Sequence, residues 1–145
     1  MALVLNRAEL TEFVEQAFAQ VKGDFAIEAM DEELLVLRLK VDERHLRPGG
    51  TVSGPNIFAL ADVGIYFAIL ARIGRVPLAV TTNASIDFMR KPKSGVDLLA
   101  HIRILKLGRV LAVGDALIYS EGDDRPVARA SMTYSIPPGA TEPQG

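Results

Sequence analysis

The chain has no cysteine and no tryptophan, two histidines, and aromatic residues at only 6% of its 145 positions. Without cysteine there is no disulfide framework, no thiolate metal site and no cysteine nucleophile. His45 and His101 lie far apart with no ligand spacing, so no metal site is expected. An excess of either charge is also missing, with 16 basic against 18 acidic residues and a net charge of −2. That balance gives no electrostatic reason to expect nucleic acid or a membrane surface as partner. The start "MALVLNRAELTEF" runs from apolar to charged, the reverse of a signal peptide, and a cytoplasmic protein is expected.

What is present is an ordinary globular composition, 49% hydrophobic and 23% charged. A chain of this length forms one domain and buries roughly 68–70% of its unfolded surface. We expect that domain over 1–137, with a flexible tail at 138–145, "PGATEPQG". The most apolar stretch is "VSGPNIFALADVGIYFAILARIG", residues 52–74, interrupted by Asp62 and Gly64. A membrane-spanning helix needs about 20 predominantly apolar residues. An aspartate at mid-bilayer costs roughly 2.5–3.5 kcal/mol. The buried helix of a soluble protein is the better reading.

Residues 8–21 place Leu10, Phe13, Val14, Ala17, Phe18 and Val21 on one face at helical spacing, with Gly23 as the stop. Residues 25–30 and 34–41 flank "DEE" as a hairpin, with Leu35, Leu37 and Leu39 alternating against Val36, Arg38 and Lys40. After the loop at 42–55 comes the apolar helix, ended by Gly74 and Pro77. Strands then read at 79–89, 96–106, 110–119 and 127–136, joined by short turn-rich segments that favour an antiparallel meander. A helix apolar nearly all round must be wrapped on most sides. A curved antiparallel sheet folded around it, an α+β architecture, does this economically.

Asp62 is the anomaly, because a carboxylate taken out of water costs several kcal/mol unless paired. It is either a structural carboxylate bonded to a strand or a catalytic group in a dry pocket. At the helix start, Ser53 is the N-cap candidate and Pro55 falls in the first turn. The Gly54 N–H there has no intrahelical acceptor and can hold an oxyanion. Gly54 and Asp62 are eight positions apart, about 12 Å along a helix rising ~1.5 Å per residue. A reacting carbonyl must lie about 3 Å from both its donor and its attacking group. If both residues are catalytic, Gly54 of one subunit must work with Asp62 of another, and a homodimer is required.

Between about residues 34 and 137 the chain resembles the hotdog-fold thioesterases. The resemblance rests on "RPGGTVSGPNIFALADVGIYFA", "TTNASIDFMRKPKSG" and "LLAHIRILKLGRVLAVGDALIYSEGDDRPVARASMTYSI", and it is nearest to the phenylacetyl-CoA thioesterase-like branch. It implies a six-stranded sheet around the central helix, dimers with a continuous sheet, and often dimers of dimers. The implied activity is acyl-CoA hydrolysis without metal or cofactor, coenzyme A being part of the substrate. Asp62 matches the catalytic acid, as nucleophile or general base. Gly54 matches the glycine whose N–H polarises the thioester carbonyl across the dimer. Thr81 falls where some members position water with a hydroxyl. Arg90, Lys91 and Arg109 lie near segments that meet the nucleotide phosphates.

The chain departs from that pattern at three positions. Ser53 stands for a histidine, Pro55 for a second glycine, and Arg47 for an asparagine or glutamine. Asn56 is expected to replace a lost side-chain contact. Arg47 would keep a nearby Asp62 ionised, pair with an acidic substrate group, or take the place of water. Asn83 shares a strand face with Ser85 and Asp87 that is either solvated or lines a dimer groove. These departures keep a noncatalytic acyl-CoA-binding module open as the alternative to a thioesterase. An acyl-CoA dehydratase ranks third, because no histidine lies on the central helix.

Overall fold

The computed structural model describes residues 2–138. The expected tail therefore lies, from residue 139 on, outside the described residues. The first helix, α1, runs Arg7–Ala17. Asn6 and Glu9 close a reciprocal capping box at its start, with the Glu9 N–H 2.8 Å from Asn6 Oδ1. The helix expected to continue to residue 21 ends early. Phe18 leaves helical geometry, and a 3₁₀ turn follows at Ala19–Val21. Leu10 and Val14 are buried as expected, whereas Ala17 and Phe18 are exposed. The break lets the Phe18 ring stand edge-on against Tyr66, with centroids 6.3 Å apart. Helical periodicity carries no trace of that tertiary contact.

Strands β1 (Phe25–Met30) and β2 (Leu35–Leu39) form the hairpin, closed by Asp31 Oδ1 accepting from the N–H groups of Glu33 and Leu34. After a 3₁₀ turn at Glu43–His45 comes α2, Gly54–Ile73. β3 (Val80–Phe88), β4 (Leu98–Leu107), β5 (Leu111–Ser120) and β6 (Pro126–Ser135) complete one six-stranded antiparallel sheet. Its order is β1-β2-β4-β5-β6-β3, so β3 crosses over to become an edge.

The alternating residues Leu35, Leu37 and Leu39, then Leu98, Ala100 and Ile102, face α2 and are buried. By length and composition α2 would pass for a membrane span, yet 78% of its apolar window is buried inside the protein. From Leu60 to Ile73 every residue of α2 is buried except Asp62. Two glycines set how closely α2 lies on the sheet. A Cβ at Gly64 would come within 2.8 Å of Ile102 Cδ1, and one at Gly114 within 2.6 Å of Ile65 Cγ2. Gly64 therefore marks close helix–sheet packing, which offsets its poor helix propensity.

Candidate active site

The start of α2 is held by a small polar framework. Ser53 is the N-cap, and its Oγ accepts from the Asn56 amide at 2.7 Å. The same amide donates to the His45 carbonyl at 3.3 Å, which also accepts from the Ser53 N–H at 2.9 Å. His45 is itself buried, with Nδ1 accepting from the Asp42 N–H at 2.8 Å. Asn56 thus braces the loop against the helix. The Gly54 N–H follows directly and has no acceptor among the described residues. It is one of the unsatisfied donors at the positive end of the helix dipole.

Gly54 lines a cleft of about 570 Å³ together with Arg47, Phe88, Arg90 and Lys91. Phe88 packs on the glycine, its Cζ 3.5 Å from where a Cβ would be. Arg90 also donates to the Pro126 carbonyl at 3.1 Å. Three of the expected phosphate-binding or substrate-binding cations therefore share one cavity with Gly54. Arg109 does not join them within the protomer, since it sits exposed in the β4–β5 turn at the other end of β3. Asn83 is exposed on β3.

Asp62 lies in a second pocket, of about 210 Å³, lined among others by Phe18, Tyr66, Val80, Thr81 and Tyr134. The Thr81 hydroxyl donates to Asp62 Oδ1 at 2.6 Å. The Tyr134 hydroxyl lies 2.6 Å from the same oxygen and 2.8 Å from the Asp62 carbonyl. Burial first, and then the neighbouring carboxylate, push the Tyr134 phenol well above its ordinary range, so it remains a donor at neutral pH. Its ring is stacked on Tyr66 with centroids 6.2 Å apart, and the Tyr66 hydroxyl donates to the Pro77 carbonyl at 3.0 Å. Asp62 is therefore a hydrogen-bonded carboxylate opening into a pocket of mixed polar and apolar lining.

Gly54 and Asp62, on one helix, line separate cavities. Arg47 is on the Gly54 side, so within one protomer it shares no cavity with Asp62. Sequence reasoning did not single out Tyr134 or give Phe18 a role beyond packing. A signal for Tyr134 existed: in β6, Ala128, Ala130, Met132 and Tyr134 form a buried alternating row, and Tyr134 alone ends in a polar atom. Its partnership with Thr81 comes from β3–β6 register, which pairs those residues across the sheet.

Comparison with known proteins matches residues 49–127 to the Thioesterase superfamily. A curated Pseudomonas aeruginosa protein described as a candidate esterase is 34% identical over 79% of this chain and 84% of its own. A Silicibacter crystal structure described as a candidate thioesterase is 60% identical, covers 95% of this chain and 96% of its own, and superposes with a TM-score of 0.90. A phenylacetic acid degradation protein from Thermus thermophilus, solved as a mutant, is 25% identical with a TM-score of 0.68, covering 87% and 99%. With most of its length matched in sequence and structure, the chain belongs to the thioesterase superfamily and is a hotdog-fold thioester hydrolase.

Proposed function

We propose that the chain hydrolyses acyl-CoA thioesters at two composite sites of a homodimer, each using Asp62 of one protomer and the Gly54 N–H of its partner. The observation that carries this reading is the outer edge of β3, which among the described residues pairs only with β6, lying between two incomplete half-sites. Seven of its nine residues are exposed, and so are the apolar Leu78 and Met89 beyond its ends. A long, exposed, partly apolar edge is a template for pairing with another chain.

Twofold antiparallel pairing of β3 with itself, centred on Ala84, would set Val80 and Thr81 opposite Phe88 and Asp87 of the second copy. Val80 and Thr81 line the Asp62 pocket, and Phe88 lines the Gly54 cleft. The pairing joins one half-site of each kind. It also turns the end of the sheet that carries Arg109 toward the cleft holding Arg47, Arg90 and Lys91. A diphosphate and a 3′-phosphate would find their counter-charges there.

The thioester carbonyl oxygen then accepts from Gly54 while its carbon faces Asp62. As general base, the carboxylate takes a proton from water and the water oxygen bonds to the carbonyl carbon. The C–S bond breaks, and the departing thiolate takes up a proton. As nucleophile, the carboxylate oxygen bonds to that carbon, the thiolate leaves, and water cleaves the resulting anhydride. Both routes need the same carboxylate and the same donor.

Thiol release from short, long and aryl acyl-CoA esters, by wild type and Asp62→Asn side by side, tests this reading. Hydrolysis lost in Asp62→Asn supports it. Equal rates from both would remove Asp62 from the mechanism. Tight acyl-CoA binding without turnover would select the noncatalytic alternative.

A further inference from the structure

Asp62 is held asymmetrically. Both hydroxyl donors meet at one oxygen, Oδ1, with Thr81 Oγ1 and the Tyr134 hydroxyl each 2.6 Å away. Neither reaches Oδ2, which accepts no hydrogen bond among the described residues. Distances this short are typical of hydroxyls donating to an ionised carboxylate, about 2.5–2.7 Å. The terminal torsion of an aspartate is otherwise broad and nearly twofold, so an unrestrained carboxylate would exchange its two oxygens.

The two donors are themselves fixed. Tyr134 is 3% exposed, stacked on Tyr66, and lies in β6 between β5 and β3. Its hydroxyl also meets the Asp62 carbonyl, which ties it to the helix backbone as well as to the side chain. Thr81 sits directly across from it in the β3–β6 ladder. The grip on Oδ1 therefore comes from the rigid sheet, while Asp62 rides on the helix.

We propose that Tyr134 is a positioning residue that, with Thr81, clamps Asp62 Oδ1 and so reserves Oδ2 as the oxygen that meets the substrate or its attacking water. This rests on the hydrolytic reading above and adds which atom works and what selects it. The clamp fixes the direction of Oδ2, and orientation of this kind contributes to the rate rather than to substrate affinity.

Tyr134→Phe keeps the ring and its stacking and removes only the donor. We expect kcat to fall roughly ten- to a hundredfold, the range for a hydrogen bond to a charged group, with KM nearly unchanged. Thr81→Val should act in the same way. Because both act on one oxygen, the double variant should lose less than the product of the single losses. A tyrosine that only packs would give a lower melting temperature with wild-type kcat, and that result overturns the proposal. If Tyr134→Phe does not fold, the half-buried Thr81 serves alone, and wild-type kcat in Thr81→Val is equally fatal. Asp62→Asn in the same assay keeps the two levels apart. Activity surviving there defeats the hydrolytic reading, whereas an inactive Asp62→Asn beside a fully active Tyr134→Phe defeats only the clamp.

Discussion

Gly114 of β5 lies directly beneath Ile65 of α2, so close that a Cβ on the glycine would be 2.6 Å from Ile65 Cγ2. Ile65 is fully buried and one helical turn beyond Asp62, so this contact sets the height of α2 above the sheet. The branch methyl is stiff at χ1 in a helix and cannot swing aside.

Gly114→Ala should therefore destabilise the protein by about 1–3 kcal/mol through overpacking. It should also lower turnover by lifting Asp62 away from Thr81 and Tyr134. Gly64→Ala should cost less, because Ile102 yields at its flexible Cδ1 end and alanine improves helix propensity by about 1 kcal/mol. Denaturant midpoints of the two variants measured together check the ranking. Equal losses would mean that the strand contact is no more rigid than the helix contact.

Subunit complementation tests the shared site. Gly54→Pro removes the N–H at the first helical position, where proline is tolerated after the extended Ser53. Gly54→Pro and Asp62→Asn should each be nearly inactive. Unfolded and refolded together in equal amounts, they should recover about a quarter of wild-type activity, since half of the dimers are mixed and each holds one intact site of two. No recovery despite mixed dimers would place both groups of a working site in one chain.

Phe18 should limit the acyl group. The Asp62 pocket, about 210 Å³, is somewhat larger than the roughly 150 Å³ cavity that holds benzene. Aryl and short acyl esters should be hydrolysed faster than long fatty acyl esters, and Phe18→Ala should shift that ratio toward longer chains. Ratios of kcat/KM across a chain-length series measure this. An unchanged ratio in Phe18→Ala would put the limiting wall elsewhere.

Acid should weaken the fold through His101. Burial, and then Arg103, lower its tendency to hold a proton in the folded state relative to an ordinary histidine. The unfolded chain consequently binds more protons, so stability should fall as pH drops below the ordinary histidine value of about 6.5. The folded protein keeps the imidazole against the edge of Tyr119 at a centroid distance of 4.9 Å. Denaturant midpoints between pH 7.5 and 5 should decline less in His101→Gln than in wild type. Parallel declines would assign the acid sensitivity to other groups.

Much of the architecture is local information, which explains why it is legible in the chain. The strand alternation of Leu35, Leu37 and Leu39 and the N-cap at Ser53 match the structure, as does the left-handed Gly74 at the helix end. Each follows from a period or a backbone preference that a few neighbouring residues determine. Asp62 was legible as well, because a lone acid in an apolar helix stands out without any fold. The spacing of Gly54 and Asp62 on one helix is likewise a property of the chain, and it alone raised the need for a second subunit.

Tertiary structure decided what the chain could not specify by itself. Which oxygen of Asp62 is engaged depends on β3 crossing the sheet to pair with β6 and bring Thr81 beside Tyr134, residues more than fifty positions apart. The early end of α1 at Phe18 sets its ring against Tyr66, a contact that helical periodicity cannot anticipate. Gly64 and Gly114 read as ordinary glycines until Ile102 and Ile65 are set against them. These features arise where distant segments meet, and their energies depend on distances of a few tenths of an ångström. Residue order determined the helix and its carboxylate; the packing of sheet against helix decided how that carboxylate is held.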